Sequence, residues 1–242
     1  MARLEVTDLV VQYDERKRST RGLDHFSATF DAPFSVLVGA SGCGKTSLLR
    51  AILGLQEYEG SISFDGMPLE SVLTKDRNFS FVSQQYELYP MLTVFDNIAF
   101  PLKILGAPKA EIKERVYALA ELTGLTPCLS RKPRQISGGL QQRVAIARAL
   151  IKRPSLCLMD EPFSNVDAPI RESMRRFVRD TASATHTQIL YVTHDFGEAL
   201  MLADRLYVMD KGKLVIEGTP LSVFDSHNPI VEAFKAGSGL HD

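Results

Sequence analysis

The chain has 242 residues, of which 45% are apolar and 24% charged, and its 28 Lys and Arg against 29 Asp and Glu leave a formal charge of −1. A chain of this length buries roughly 70 to 75% of its unfolded surface, so it needs no disulfide or metal ion to remain folded. The composition excludes disorder and collagen-like repeats. No run of residues approaches the ~20 apolar residues of a membrane-spanning helix, and the near-zero charge argues against a general nucleic-acid binder.

The start of the sequence gives no expectation of secretion. It starts Met-Ala-Arg-Leu-Glu-Val, without the basic and apolar regions of a signal peptide. Its three cysteines, Cys43, Cys128 and Cys157, are odd in number and far apart. These features predict a protein of the reducing cytoplasm that does not cross a membrane by itself.

The first part of the chain predicts an antiparallel sheet. Apolar residues recur with a loose period of two from Leu4 to Tyr13, and the strand-like segment from Ser61 reaches Asp65-Gly66, which is a strong hairpin signal. Four later runs are almost entirely apolar, which is typical of strands covered on both faces in a parallel sheet. These runs are Phe34–Val38, Phe79–Val82, Leu156–Met159 and Ile189–Val192.

Two stretches between the second and third apolar runs have helical spacing. Ile112, Val116, Leu119 and Leu122 form one apolar stripe that follows Pro108 and precedes Gly124, and a second stripe runs from Val144 to Ile151. The sequence therefore predicts an α/β fold with a helical insert in a mainly parallel core. Near the end, Asp210-Lys-Gly-Lys between two apolar runs predicts another hairpin.

A glycine-rich loop directly follows the apolar run Phe34–Val38. Residues 39–46 read Gly-Ala-Ser-Gly-Cys-Gly-Lys-Thr, and helical spacing starts at Ser47, so the pattern G-x-x-x-x-G-K-[ST] lies in its strand, loop, helix context. Glycines let backbone N–H groups turn towards a phosphate, and the helix N-terminus adds partial positive charge. Lys45 is expected to reach the outer phosphates and the Thr46 hydroxyl to coordinate Mg²⁺, whereas Cys43 occupies a variable position of the loop.

Two polar clusters follow other apolar runs. Asp160 and Glu161 come after Leu156–Met159, at the strand end where ligands bind in open α/β sheets. Asp160 is expected to hold Mg²⁺, directly or through water, and Glu161 to deprotonate an attacking water, which typically contributes ~10² to 10⁴ in rate. His194 follows Ile189–Val192 and is a candidate hydrogen-bond donor to the terminal phosphate.

A second glycine motif precedes the stripe at Val144. Ser137-Gly138-Gly139 stands at the start of that helical segment, where Ser137 can cap the helix and the glycines leave its N–H groups open to an anion. On physical grounds alone, an ordinary capped helix explains the motif equally well.

Together, the motifs resemble those of an ATP-binding cassette (ABC) ATPase, the nucleotide-binding subunit of a transporter, over essentially all 242 residues. Ile136 to Leu140 resembles the signature motif of that family, Gln84 its Q-loop, Ser164-Asn-Val-Asp167 its D-loop and His194 its switch histidine. Two positions depart from the usual pattern: Leu140 stands where the family usually has Gln, and Thr46-Ser47 replaces Ser-Thr.

The resemblance implies a set of site residues. Gln84 would sense Mg²⁺ and the attacking water, Tyr13 would stack on adenine, and Asp167 would belong to the D-loop. The expected nucleotide-binding residues are Tyr13, Gly39, Ala40, Ser41, Gly42, Cys43, Gly44, Lys45, Thr46 and Ser47. The expected catalytic residues are Glu161, His194 and Gln84, the Mg²⁺ ligands Thr46, Gln84 and Asp160, and the residues acting in trans Ser137, Gly138 and Gly139.

The resemblance also implies an architecture. We expect a P-loop NTPase (RecA-like) core with a mainly parallel sheet, an N-terminal antiparallel β subdomain and an inserted α-helical subdomain. The chain would form one ATPase domain, with the β subdomain and core at about 1–85 and 150–242 and the helical subdomain at about 86–149.

The resemblance implies a mechanism with partners. Two cassettes, either two copies of this chain or this chain and a related one, would close head to tail on ATP, so that the signature motif of one completes the site of the other. Hydrolysis would reopen them, and the Gln84 region would pass the motion to integral membrane permease subunits on the cytoplasmic face.

The region before the signature resembles bacterial importers, which also use a solute-binding protein. Because the chain stops at Asp242, we expect no C-terminal regulatory domain, which weakens a sugar assignment. Importers of amino acids, anions, thiamine, nitrate or sulfonates stay alternatives of comparable weight to a sugar importer.

Two alternatives come from other classes. A soluble ABC ATPase acting on nucleic acid or the ribosome would need a long coiled-coil insertion or a second cassette, and neither is present in this sequence. A P-loop GTPase would need the guanine-reading Asn-Lys-x-Asp motif, which is absent.

Overall fold

The structure is a computed structural model that describes residues 2–15, 18–163 and 168–238. The chain divides into two compact units, the first formed by Met1–Asn78 with Ile189–Asp242 and the second by Phe79–Gln188. The predicted domain boundaries at about 86 and 149 stay a prediction. None of the described helices is long and apolar enough to cross a membrane.

The first unit contains an antiparallel sheet, as the early alternation predicts. Its strands lie in the order β2-β1-β4-β5. They are β1 (Leu4–Glu15), β2 (Arg18–Phe30), β4 (Glu59–Phe64) and β5 (Met67–Pro68). The turn at Asp65-Gly66 joins β4 to β5, and both turn residues have positive φ, 51° and 77°, so this hairpin prediction is confirmed.

The first unit also contains strands that pair in a mixed parallel and antiparallel arrangement. They are β3 (Phe34–Gly39), β8 (Gln188–Thr193), β9 (Arg205–Asp210) and β10 (Lys213–Gly218). Strand β3 pairs in parallel with both β8 and β9, and β10 pairs antiparallel with β9. Every residue of β3 and β8 is buried, and each fully buried Val or Leu contributes about 1.5 to 3 kcal/mol of stabilisation.

Among the described residues, four α-helices belong to the first unit. They are α1 (Lys45–Ile52), α6 (Phe196–Leu202), α7 (Pro220–Phe224) and α8 (Pro229–Ser238). Helix α1 directly follows the loop after β3, and α6 directly follows β8 with Asp195 as its N-cap. Both helices therefore start at the carboxyl end of a buried parallel strand, the edge where α/β proteins bind ligands.

In the described part of the second unit, two parallel strands combine with four α-helices. The strands are β6 (Phe79–Val82) and β7 (Leu156–Asp160). The helices are α2 (Val94–Ile104), α3 (Lys109–Leu122), α4 (Gly138–Leu150) and α5 (Ala168–Thr185). Strand β6 is only half-buried apart from Val82, so the prediction that both faces are covered is wrong for most of this strand.

An apolar core joins α2, α3 and α4. Both predicted stripes contribute to it, through Ile112, Val116 and Leu119 from α3 and Val144, Ala147 and Ile151 from α4 and its end. Leu122, predicted to belong to the α3 stripe, is instead 49% exposed. The predicted fold class, an α/β P-loop NTPase fold with an antiparallel β part and an inserted helical part, is confirmed.

Candidate functional site

The glycine-rich loop joins β3 to α1 as its sequence predicts. Gly44 is the N-cap of α1, has φ of 116° and places no side-chain hydrogen bond on the helix N-terminus. Any Cβ at this position would overlap the carbonyl of Gly22 in β2. Only glycine therefore fits both this backbone conformation and this close approach, which leaves the first turn of α1 open to an anion.

Lys45 occupies the inside of this loop. Its side chain is 4% exposed, and its ammonium group donates to the carbonyl of Gly39 at 2.8 Å and to that of Ala40 at 3.1 Å. A buried cation held by neutral carbonyls is a costly arrangement that an anionic ligand relieves. The loop geometry and its charge thus fit a polyphosphate.

Two further predicted residues lie beside the loop. The Tyr13 hydroxyl is 3.0 Å from the Ser47 hydroxyl in the first turn of α1. His194 follows β8, whose last residue, Thr193, pairs with Val38 immediately before the loop. The structure therefore brings Tyr13 and His194 to the edge of the first unit that carries the glycine-rich loop.

Cys43 is a buried loop residue with a raised pKa. Its side chain is 7% exposed, and burial raises the pKa of its thiol despite the nearby Lys45. The thiol therefore stays protonated at neutral pH and is a poor nucleophile.

A glycine that the sequence did not single out also supports the loop. The N–H of Gly212, in the turn between β9 and β10, donates to the carbonyl of Cys43 at 2.8 Å, and the Asp24 N–H donates to the Gly212 carbonyl at 3.1 Å. Gly212 has φ of 78°, and a Cβ there would lie 2.8 Å from the Asp24 nitrogen. The turn thus packs closely between β2 and the glycine-rich loop.

Replacing Gly212 by Ala is expected to lower both stability and ATP affinity. The new Cβ meets backbone in a left-handed conformation, so we expect a loss of about 1 to 3 kcal/mol in the free energy of unfolding and a severalfold rise in the Kd for ATP. Thermal unfolding and nucleotide titration measure the two effects. Gly66→Ala is the matched control, because Gly66 has φ of 77° in another hairpin with nothing within 4 Å of its Cβ position. Equal effects of the two substitutions would refute a role of Gly212 in supporting the loop.

In the second unit, the carboxylate pair follows a buried strand. Strands β6 and β7 run in parallel with Val82 opposite Met159, so Gln84 and Asp160 leave the same edge of this strand pair. Glu161, the next residue, has φ of 43°. A non-glycine residue in this region costs about 1 to 3 kcal/mol and persists only where its surroundings hold it.

The second glycine motif is the start of α4. Ser137 is its N-cap, and the Ser137 hydroxyl accepts a hydrogen bond of 3.4 Å from the N–H of Leu140. Ser137 and Gly138 are exposed, and Gly139 and Leu140 are half-buried. The capping prediction is confirmed, and the motif presents an exposed helix N-terminus.

Two side chains of α4 bind loops that carry predicted site residues. The Gln142 amide donates to the carbonyl of Pro162, which follows Glu161. The Arg148 guanidinium donates to the carbonyls of Tyr86 and Glu87 at 2.8 and 2.9 Å and lies 5.3 Å from the ring centre of Tyr89. No local pattern distinguished these two residues from other polar positions of a helix, because their partners are distant in sequence.

The donor types suit Mg²⁺ in the presence of phosphate. The expected ligands Thr46, Gln84 and Asp160 offer hydroxyl, amide and carboxylate oxygens, which Mg²⁺ prefers. Within the described ranges, no three or more His, Cys, Asp or Glu side chains cluster to hold a metal ion. Asp167, the predicted D-loop residue, lies outside the described residues.

Comparison with known proteins decides the family. Residues 31–164, more than half of the chain, match the family described as ABC transporter. The chain belongs to the ABC transporter family.

Curated relatives of this ABC family member are import proteins. It is 46% identical over 202 residues to the trehalose/maltose import ATP-binding protein MalK of Thermococcus litoralis, covering 81% of this chain and 54% of the relative. It is 42% identical to the sn-glycerol-3-phosphate import ATP-binding protein UgpC of Paraburkholderia xenovorans, covering 98% of this chain and 66% of the relative. It is 43% identical to the oligosaccharides import ATP-binding protein MsmX of Bacillus subtilis, covering 93% and 61%. The chain thus spans between about half and two thirds of the length of these relatives.

A solved structure confirms the fold of this ABC family member. The dimeric post-hydrolysis state of the ATP-binding cassette MJ0796, bound to ADP and Pi, superposes with a TM-score of 0.79 at 27% identity, covering 90% of this chain and 98% of that one.

Proposed function

We propose that this chain binds and hydrolyses ATP as the cassette of an importer, within a single ATPase domain over residues 1–242 whose helical subdomain spans about 86–149. The observation that carries the proposal is the buried Lys45 ammonium inside a loop that leads into the open N-terminus of α1. Release of phosphate from ATP by the purified chain, measured with and without Mg²⁺, tests it.

Each side chain of the proposed site has a separate role in hydrolysis. The loop residues 39–47 and Lys45 bind the phosphates, and Tyr13 packs against adenine. Glu161 accepts the proton of the water that attacks the terminal phosphate, Gln84 orients that water, and His194 donates a hydrogen bond to the departing phosphoryl group. Mg²⁺, when bound by Thr46, Gln84 and Asp160, supplies positive charge that neutralises phosphate oxygens.

We propose further that two cassettes act together, either two copies of this chain or this chain with a related one. The exposed helix N-terminus at Ser137, Gly138 and Gly139 has partial positive charge, so it favours an anion supplied from outside its own chain. The terminal phosphate of an ATP held by the partner would be such an anion. The dimeric neighbour supports this arrangement.

A surface of the second unit suits a membrane partner. Tyr89 and Met91 are 41% and 77% exposed, although hydrogen bonds fix the backbone of Tyr89. Asn97, fully buried, accepts from the Tyr89 N–H at 2.9 Å and donates to its carbonyl at 3.1 Å. A rigid backbone that presents exposed apolar side chains is typical of a docking site. We propose that integral membrane permease subunits bind here, on the cytoplasmic face of the membrane.

The expected effect of Met91→Glu is loss of the permease from the complex. Purification of a tagged chain from a detergent extract of membranes, followed by mass spectrometry, is expected to recover integral membrane subunits with the wild type and at least about tenfold less with the variant, since a charge in an apolar contact is strongly unfavourable. Met67→Glu is the control, because Met67 is 57% exposed in the first unit. Recovery of ribosomes or nucleic acid in place of membrane proteins would overturn the transporter proposal.

The relatives support a substrate class for the assembled importer. All three are named as importers of sugars or of glycerol phosphate. We therefore propose uptake of a carbohydrate or polyol phosphate, delivered by a solute-binding protein. Transport assays with the co-purified permease and labelled maltose or glycerol phosphate test this assignment.

A further inference from the structure

Helix α4 contains a fully buried amide that contacts the turn after the carboxylate pair. Gln142 has 0% exposure and lies five residues after its N-cap, Ser137. Its Nε2 group donates to the carbonyl of Pro162, and Pro162 itself is buried. A buried hydrogen bond between a helix and a turn fixes the position of that turn relative to the helix.

The turn at Glu161 and Pro162 needs such support. Glu161 has φ of 43°, and a residue before proline is further restricted in its backbone conformations. Proline has no N–H, so its carbonyl is its only backbone group that can hydrogen-bond. The Gln142 amide bonds this carbonyl directly, one residue after the strained glutamate.

The oxygen of the Gln142 amide differs from its nitrogen in its hydrogen bonding. The Gln142 Oε1 atom is buried and accepts no hydrogen bond from any residue in the part of the chain that the structure describes. A side chain kept only for stability would gain by replacement with an apolar residue of similar shape, because an unsatisfied buried oxygen is unfavourable. Among the described residues, the amide therefore makes its hydrogen bond through Nε2, and that bond goes to the Pro162 carbonyl.

We propose that Gln142 is a positioning residue that holds the Glu161 carboxylate in its productive orientation and links it rigidly to the helix that begins with Ser137-Gly138-Gly139. This inference rests on the proposed function, in which Glu161 is the general base. Gln142 lies in the same helix as the residues that act in trans, so a displacement of that helix moves the Glu161 turn with it.

The test compares Gln142→Met with Thr123→Val. Met has nearly the volume of Gln but no donor. Thr123 is 1% exposed, and its hydroxyl donates to the Leu119 carbonyl at 2.6 Å, so its replacement also removes one buried side-chain bond in the second unit. We expect Gln142→Met to lower kcat by about ten- to a hundredfold, because small misplacements of a catalytic group have effects of this size. The KM for ATP is expected to change less than about twofold, and Thr123→Val to retain the wild-type kcat.

A double-mutant cycle separates positioning from a general structural role. In a Glu161→Gln background, Gln142→Met is expected to change the residual rate less than about twofold, since the group it positions is gone. An equal loss of rate in both backgrounds, or a wild-type kcat for Gln142→Met alone, would overturn the inference.

Hydrogen exchange gives a readout that needs no nucleotide. Backbone amides of Glu161 and Phe163 are expected to exchange faster in Gln142→Met than in the wild type or in Thr123→Val. If the wild type releases no phosphate from ATP, the proposed function fails, and the exchange rates alone decide whether Gln142 holds the turn. Unchanged exchange at these two amides would overturn the inference in that case too.

Discussion

Replacing Glu161 by Gln is expected to preserve ATP binding and to lower steady-state turnover at least about a hundredfold. The carboxamide has nearly the shape of the carboxylate but cannot accept the proton of the attacking water. Glu161 directly follows the buried strand β7, at the edge shared with Gln84. Because ATP binds but is not consumed, the variant is expected to accumulate as a closed dimer in the presence of ATP.

Three measurements check this prediction. They are phosphate release at saturating ATP, the Kd for a fluorescent ATP analogue, and the mass of the complex by size exclusion with light scattering. Glu121→Gln is the control, because Glu121 is exposed on α3 and lies outside the carboxylate turn. Phosphate release near the wild-type rate in Glu161→Gln would show that another group is the base.

Replacing Lys45 by Ala is expected to abolish ATP binding or turnover. The ammonium group is the buried cation of the phosphate loop, and each charge-assisted hydrogen bond that it makes to a phosphate contributes about 1.5 to 3 kcal/mol. Loss of two such bonds weakens ATP affinity by two orders of magnitude or more, because about 1.4 kcal/mol corresponds to a factor of ten.

Thermal unfolding and nucleotide titration check the Lys45 variant together. The fold is expected to persist, because the apolar side chains of β3 and α1, such as Leu37, Leu48 and Leu49, stay buried without the ammonium group. Lys75→Ala is the control, since Lys75 is an exposed lysine of the same unit. A Lys45→Ala variant with unchanged nucleotide affinity and activity would refute the assignment of residues 39–47 as the phosphate loop.

Much of the fold could be predicted from the sequence because its signals are local. The mainly apolar run Phe34–Val38 is buried in β3, and the glycine pattern after it forms a strand-to-helix loop. The turns at Asp65-Gly66 and Lys211-Gly212 form hairpins because these residues adopt positive φ. In each case a few neighbouring residues determine the backbone conformation, so no knowledge of distant contacts is needed.

Two helices of the second unit could not be predicted from local sequence signals. Helix α2 contains Pro101, a residue that normally interrupts a helix, and the pattern around it did not predict one. The helix forms because Thr93 caps its start and the Asn97 side chain donates a hydrogen bond to the Tyr89 carbonyl in the preceding loop. Its apolar residues enter the core shared with α3 and α4. Helix α5, Ala168–Thr185, likewise lies outside the helices that the sequence predicts.

The sequence by itself determined the family and the places of the glycine-rich loop with Lys45, the carboxylate pair and the capped helix at Ser137, because each motif is contiguous and its chemistry belongs to its own residues. Only the tertiary structure decided how these motifs are held. The Gln142 bond joins residues 20 positions apart, and the Arg148 bond to Tyr86 joins residues 62 positions apart. Gly212 supports Cys43 from a different hairpin. Such contacts depend on the packing of whole elements, and the polar residue types that make them also occur throughout the surface, so their role becomes visible only when the fold brings donor and acceptor together.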